Sequence, residues 1–211
     1  MDFCATDQIH QDLLANDSSY QKKLDEFEKQ WQNHVKNGSP TPENPPEFVL
    51  PVVVHIIHEN GEENIPDAQV FQAMEHLNDA FANINYYDQN TGEDTQIQFC
   101  LAIQDPDENT TNGINRVQSN LTNLSMIDDI QMKDLSRWNP EDYVNIWVVK
   151  EICNSNGNCG VAGYAYLPIS HGSSKDGIVI EYDLFGESPG KTSALVHEMG
   201  HYLGLYHTFQ G

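Results

Sequence analysis

The sequence predicts an α/β or α+β sheet domain preceded by a helical segment. Three observations carry this expectation. Residues 6–36 place apolar side chains at helical spacing among many charges. A run rich in proline then interrupts the chain at residues 37–46. From Phe48 onward a β-branched run, an amphipathic stretch, several further strand-like runs and a terminal helix follow in order. With 211 residues and 38% hydrophobic content, the chain suffices for one substantial core and not for two full-sized domains. The expected division is a helical region with its linker over 1–46 and a main domain over 47–211.

In the N-terminal segment, Ile9, Leu13, Leu14, Leu24, Phe27, Trp31 and Val35 read as the apolar face of one helix from Thr6 to Lys36. Asn37-Gly38-Ser39-Pro40-Thr41-Pro42-Glu43-Asn44-Pro45-Pro46 cannot continue it, because proline lacks the donor a helix or ladder needs. Phe48–Ile57 reads as a strand buried on both faces. Pro66 fits a helix start, and Val70, Met74, Leu77, Phe81 and Ile84 share one face of the helix it opens. Ile97, Phe99, Leu101 and Ile103 alternate with polar partners as a half-buried strand would. The stretch 105–138 is rich in turns, with a short helix around Met126–Leu135. Val144–Val149, Val161–Leu167 and Ile178–Ile180 read as three more strands.

The formal net charge of -22 argues against nucleic acid and anionic membrane surfaces as partners. No stretch approaches the length of a membrane span, and the first residues lack the features of a signal peptide. Any export signal is expected to have been removed or never to have existed. Cys153 and Cys159 flank a polar, glycine-containing loop and read as a disulfide, the alternative being two reduced thiols.

The chemistry lies near the end of the chain. Ser188-Pro189 opens a helix, on which His197 and His201 stand four residues apart and so project from one face. Glu198 points to the side of that face, within reach of a metal-bound water without being a ligand itself. Gly204 can adopt the left-handed conformation that ends a helix, so the chain can turn and bring back His207 as a third nitrogen ligand. Three histidines leave the fourth position of a zinc ion open, as in catalytic rather than structural sites. The expected reaction is peptide-bond hydrolysis, with Glu198 taking a proton from water and passing it to the leaving amine.

His197-Glu198-Met199-Gly200-His201, Gly204 and His207 together resemble the HExxHxxGxxH signature of the metzincin metallopeptidases. Val52–Ile57, Ala102–Asp107, Gly113–Val117, Asn145–Val148, Gly163–Pro168 and Asp176–Val179 are similar, in order, to segments of the pappalysin family. The resemblance implies a zincin-like upper subdomain: a twisted, mixed, mostly parallel five-stranded sheet with a backing helix and an active-site helix. It also implies an antiparallel edge strand, matched by Gly163, Tyr164 and Ala165, that either receives an extended peptide or simply completes the sheet. A protein or peptide substrate and a secreted, extracellular setting follow from the same resemblance, the latter together with the cysteines. Metzincins carry a methionine turn and pappalysins a tyrosine after the third histidine. Neither lies before Gly211, so the sequence reads as truncated ahead of that turn.

Cys4-Ala5-Thr6-Asp7 resembles the start of pappalysin precursors, which makes Cys4 and Asp7 candidate latency residues. The alternative is a free or disulfide-bonded Cys4 on a docking helix. His55, His58, His76 and His171 read as structural or surface histidines. Asp105–Asn109 fits a turn better than a calcium loop, since Thr110 and Arg116 stand where an EF-hand needs Gly and Glu, and calcium is unsupported as a cofactor. The rival to an enzyme is a zinc-bearing binding module that is catalytically inert, against which the intact Glu198 argues.

Overall fold

The computed structural model describes residues 4–37, 47–88 and 90–208. Most of the proline-rich linker lies outside them. The N-terminal segment forms two helices, α1 (Thr6–Asn16) and α2 (Ser18–Asn37), instead of the single expected one. Asp17 causes the break: its backbone is extended, and its carboxylate accepts from the amides of Ser19 and Tyr20, capping α2. Ile9 and Leu24 are buried as the spacing predicts, but Phe27, Trp31 and Val35 are 41%, 60% and 59% exposed. The second half of α2 therefore leaves the body of the protein, and its apolar stripe covers no core.

The main domain begins with β1 (Phe48–His58), followed by α3 (Asp67–Phe81) and β2 (Ile97–Leu101). The first residues of β1 are exposed and Val52–His58 are buried. β3 (Ile114–Gln118), β4 (Asn123–Ser125), α4 (Asp129–Lys133), β5 (Val144–Val149) and β6 (Glu151–Cys153) come next. The chain then runs through β7 (Gly163–Ala165), β8 (Ile178–Glu181) and α5 (Pro189–Tyr202). The main sheet has the order β2-β1-β5-β8-β7. β2 pairs with the first half of β1 and β3 with the second, so six strands occupy five lanes. All pairs are parallel except β7 with β8. β4 and β6 form a separate parallel pair.

The expected α/β sheet is thus present, with differences at its margins. Alternation fails at Ile103, which is 80% exposed. β2 ends at Leu101, and a turn follows in which Asp105 accepts from the amides of Asp107 and Asn109. Ile84 falls beyond α3 and is exposed. The strand expected over 161–167 is ordered as strand only at its centre.

Both faces of the sheet are covered, as parallel strands require. Val144, Ile146 and Val148 of β5 point to one face, where Val70, Ala73 and Leu77 of α3 and Leu195 and Met199 of α5 complete the larger core. Trp147 and Val149 point to the other, against Tyr164, Leu124, Met132, Ile152 and, from the N-terminal segment, Ala5 and Ile9. Full burial of each such side chain contributes about 1.5–3 kcal/mol. α1 is therefore an integral part of the second core. Among the described residues, no helix is long and apolar enough to cross a membrane.

Candidate metal centre and peptide cleft

α5 begins as its sequence predicts, with the Ser188 hydroxyl accepting from the Lys191 amide and Pro189 in the first turn. Its Leu195 and Met199 enter the core, which turns His197 toward the cleft, with the His201 ring beside it. After Tyr202 the chain reverses at Gly204, whose φ of 102° is a conformation that side chains with a Cβ rarely adopt. That reversal delivers His207.

The Nε2 atoms of the three histidines converge. His197 to His201 is 3.0 Å, His197 to His207 3.0 Å, and His201 to His207 3.2 Å. Nitrogens bound at ordinary zinc distances to one tetrahedral ion lie about 3.3 Å apart. The observed triangle fits such an ion closely. Nδ1 of His201 donates to Leu205 O at 2.6 Å, which leaves its Nε2 lone pair free for a metal. Burial lowers the pKa of His197 and His201, and the neutral imidazole it favours is the ligating form.

Glu198 is 1% exposed and lies beneath β7. A Cβ on Gly163 would fall 2.9 Å from Val179 O and 3.2 Å from Glu198 Cγ, so glycine there lets the edge strand pass close over the carboxylate. Burial pushes the Glu198 pKa up to about 7. That value suits a group that both accepts and returns a proton near neutrality.

The outer edge of β7 is taken by the N-terminal segment. Cys4 bridges to Gly163 in the parallel sense, and the Ala5 amide donates to Gly163 O at 3.2 Å. The Thr6 hydroxyl accepts from the Ala165 amide at 3.0 Å and lies 3.1 Å from Ala165 O and 3.2 Å from Glu198 Oε2. Cys4 Sγ lies 3.5 Å from the same carboxylate oxygen and clusters with the three histidine nitrogens, all within 4.8 Å of one another. Burial, then the Glu198 charge, pushes its thiol up to about 12 in the absence of a metal. Asp7 faces a different atom: its Oδ2 accepts from His207 Nδ1 at 2.7 Å, on the side of the ring away from the nitrogen triangle. A cleft of about 630 Å³ opens beside these groups, lined by Leu184, Lys191, Ser193, Ala194 and Asn154 among others.

Behind β7 lies a polar cluster that the spacing of residues did not reveal. The Lys133 ammonium is fully buried, 3.2 Å from Asp129 and donating to Lys175 O at 2.6 Å. Tyr164 and Tyr166 donate their hydroxyls to the two Asp129 oxygens at 2.6 and 3.1 Å. The only local signal is the i,i+4 spacing of Asp129 and Lys133, which ordinarily marks a solvated pair. Cys153 and Cys159 form a disulfide. His55 stacks on Trp147 and bonds Asn145, His76 meets Thr192, and His171 meets Asp176, all in structural settings.

Fold and site together resemble those of the metzincin metallopeptidases. Residues 128–211 match the family model of the M43 peptidases, described as pregnancy-associated plasma protein-A. Over those residues the chain is similar to the pappalysin family. Mature mirolysin of Tannerella forsythia, solved with a cleaved peptide, is similar at 33% identity and a TM-score of 0.68, covering 78% of this chain and 66% of that one. A promirolysin variant of the same organism is similar at 29% identity and a TM-score of 0.71, covering 97% and 69%. An extracellular metalloprotease of Sordaria macrospora is 34% identical over 94 residues, 39% of this chain and 30% of the relative. One of Verticillium alfalfae is 44% identical over 61 residues, 23% and 21%. The chain thus spans about two thirds of the solved relatives and under a third of these curated ones.

Proposed function

We propose that residues 47–211 form the upper half of a secreted zinc endopeptidase domain, and that residues 1–46 are its inhibitory pro-segment. The observation that carries the first part is the 3.0–3.2 Å triangle of Nε2 atoms with Glu198 buried beside it. His197, His201 and His207 hold the ion, and three neutral imidazoles suit zinc. When bound, zinc supplies Lewis acidity to the substrate carbonyl and to a water at its open position. Glu198 takes the proton from that water and delivers it to the leaving amine. Gly163 and Ala165 offer outward backbone groups to an extended peptide, as an edge strand can, while those of Tyr164 between them face β8. The names of the extracellular relatives support secretion.

The pro-segment reading is supported by its position. Cys4 to Thr6 occupy the edge a peptide would use, and the Cys4 sulfur faces the histidine triangle from the open side. With zinc bound, a thiolate there would exclude water from it. Asp7 fastens the segment to His207. The match to the mature relative covers 78% of the chain and that to the precursor form 97%, a difference of about 40 residues, a little less than residues 1–46.

The test is Glu198→Ala in the full-length protein freed of residues 1–46. Zinc content is expected to stay at wild-type level while peptide hydrolysis falls about 10³–10⁴-fold. Turnover near the wild-type rate with zinc bound removes Glu198 from the mechanism. In the uncleaved precursor, Cys4→Ala is expected to raise activity, and the latency reading fails if neither that change nor removal of residues 1–46 does so.

A further inference from the structure

The three histidines are not held equally. His197 and His201 ride on α5, and the His201 ring is oriented by Leu205 of its own turn. His207 stands on a non-helical stretch beyond Gly204, and Asp7, 200 positions away, grips its Nδ1 at 2.7 Å. Asp7 is itself firmly placed. It sits in the first turn of α1 between Ala5 and Ile9, both buried in the second core. A carboxylate on Nδ1–H fixes the tautomer and turns the Nε2 lone pair toward the metal position.

We propose that Asp7 is a positioning residue for the metal ligand His207, so that the N-terminal segment helps assemble the metal site it covers. The inference rests on the three-histidine reading above. It gives the segment a second role, in metal capture, distinct from obstruction of the cleft. Linkage then requires a reciprocal effect: the factor by which a docked Asp7 tightens metal binding is the factor by which metal tightens docking of the segment.

The experiment is an equilibrium zinc titration of the full precursor chain against a competing chelator, comparing wild type with Asp7→Asn, Asp7→Ala and Asp7→Glu. Each is also measured on a Cys4→Ala background, which separates the carboxylate from the thiol. Asp7→Asn and Asp7→Ala are expected to weaken zinc binding about 10–100-fold on both backgrounds. Asp7→Glu, which keeps the carboxylate, recovers part of the loss. Unfolding of the metal-free variants is followed alongside, and a folded variant with zinc affinity within twofold of wild type overturns the proposal. The rate of proteolytic removal of the segment, with and without zinc, provides a second readout. Zinc protecting Asp7→Asn,Cys4→Ala as strongly as Cys4→Ala alone also overturns it. Failure of the underlying reading looks different: His201→Ala then binds zinc as tightly as wild type.

Discussion

The two sides of β7 meet polar partners in different ways. On the inner side, the strand pairs with β8, and the hydroxyls of Tyr164 and Tyr166 reach a carboxylate that a fully buried lysine neutralises. On the outer side, Cys4, Ala5 and Thr6 make a few hydrogen bonds, and Thr6 contacts Glu198 as well as the strand. The inner contacts bury charge and cannot be given up singly without leaving an unpaired ion. The outer contacts join backbone groups that water or another peptide satisfies equally well. One strand thus has a permanent face and an exchangeable one.

The largest expected stability effect lies on the permanent side. Asp129→Ala leaves the Lys133 ammonium buried without its counter-ion, and a loss of about 3–5 kcal/mol is expected in denaturant unfolding. A loss below about 1 kcal/mol, in the range of exposed pairs, would erase the distinction between the two sides.

His55 sharpens the contrast further inside the sheet. Burial lowers its pKa to about 4 from an ordinary 6.5, so the folded protein keeps it neutral where the unfolded chain protonates it. Its contribution is complete above about pH 6.5 and is lost as pH falls toward 4, amounting to about 3 kcal/mol. Between pH 7 and 4, the wild type is therefore expected to lose that much more stability than His55→Gln. Parallel pH profiles would show that His55 is not held neutral by burial.

On the exchangeable side, Thr6→Val removes the hydroxyl between β7 and Glu198. The expected cost to docking of the segment is about 1–2 kcal/mol, read as about a tenfold faster proteolytic removal of residues 1–46 from the precursor. An unchanged rate would mean that Thr6 does not hold the segment.

The chemistry at the end of the chain was legible because its parts are close in sequence: two histidines one turn apart, a glycine and a third histidine all lie within eleven residues. The central strands were legible for a similar reason, since Val52–Ile57 and Val144–Val149 are buried on both faces and need no partner to announce themselves. β3 was not legible as a strand, because Asn115 and Val117 are only partly covered, Arg116 is exposed and no apolar run marks them. Asp17-Ser18-Ser19 is a capping signal, yet the apolar spacing continues across it and masks the break. Thr6 gave no spacing signal, and Asp129 only that of an ordinary i,i+4 pair with Lys133. Their partners stand 159 and 35 positions away, and such contacts exist only once the sheet has formed.

The smallest effect belongs to the far end of α2. Trp31→Lys is expected to change global stability by less than about 0.5 kcal/mol, because the side chain covers no core. A larger loss would mean that something packs on this helix.

Residues 25–37 are exposed along their whole length, so those turns of α2 rest on intrinsic helix preference and not on burial. Isolated helices of that size are marginal in water. Local stability along α2 therefore falls from Leu24 outward, and amide hydrogens beyond it exchange with solvent by local fraying while those of β1 and β5 wait for global unfolding. The peptide bonds that fraying exposes lie upstream of β1. The chain can be cut there with its sheet intact.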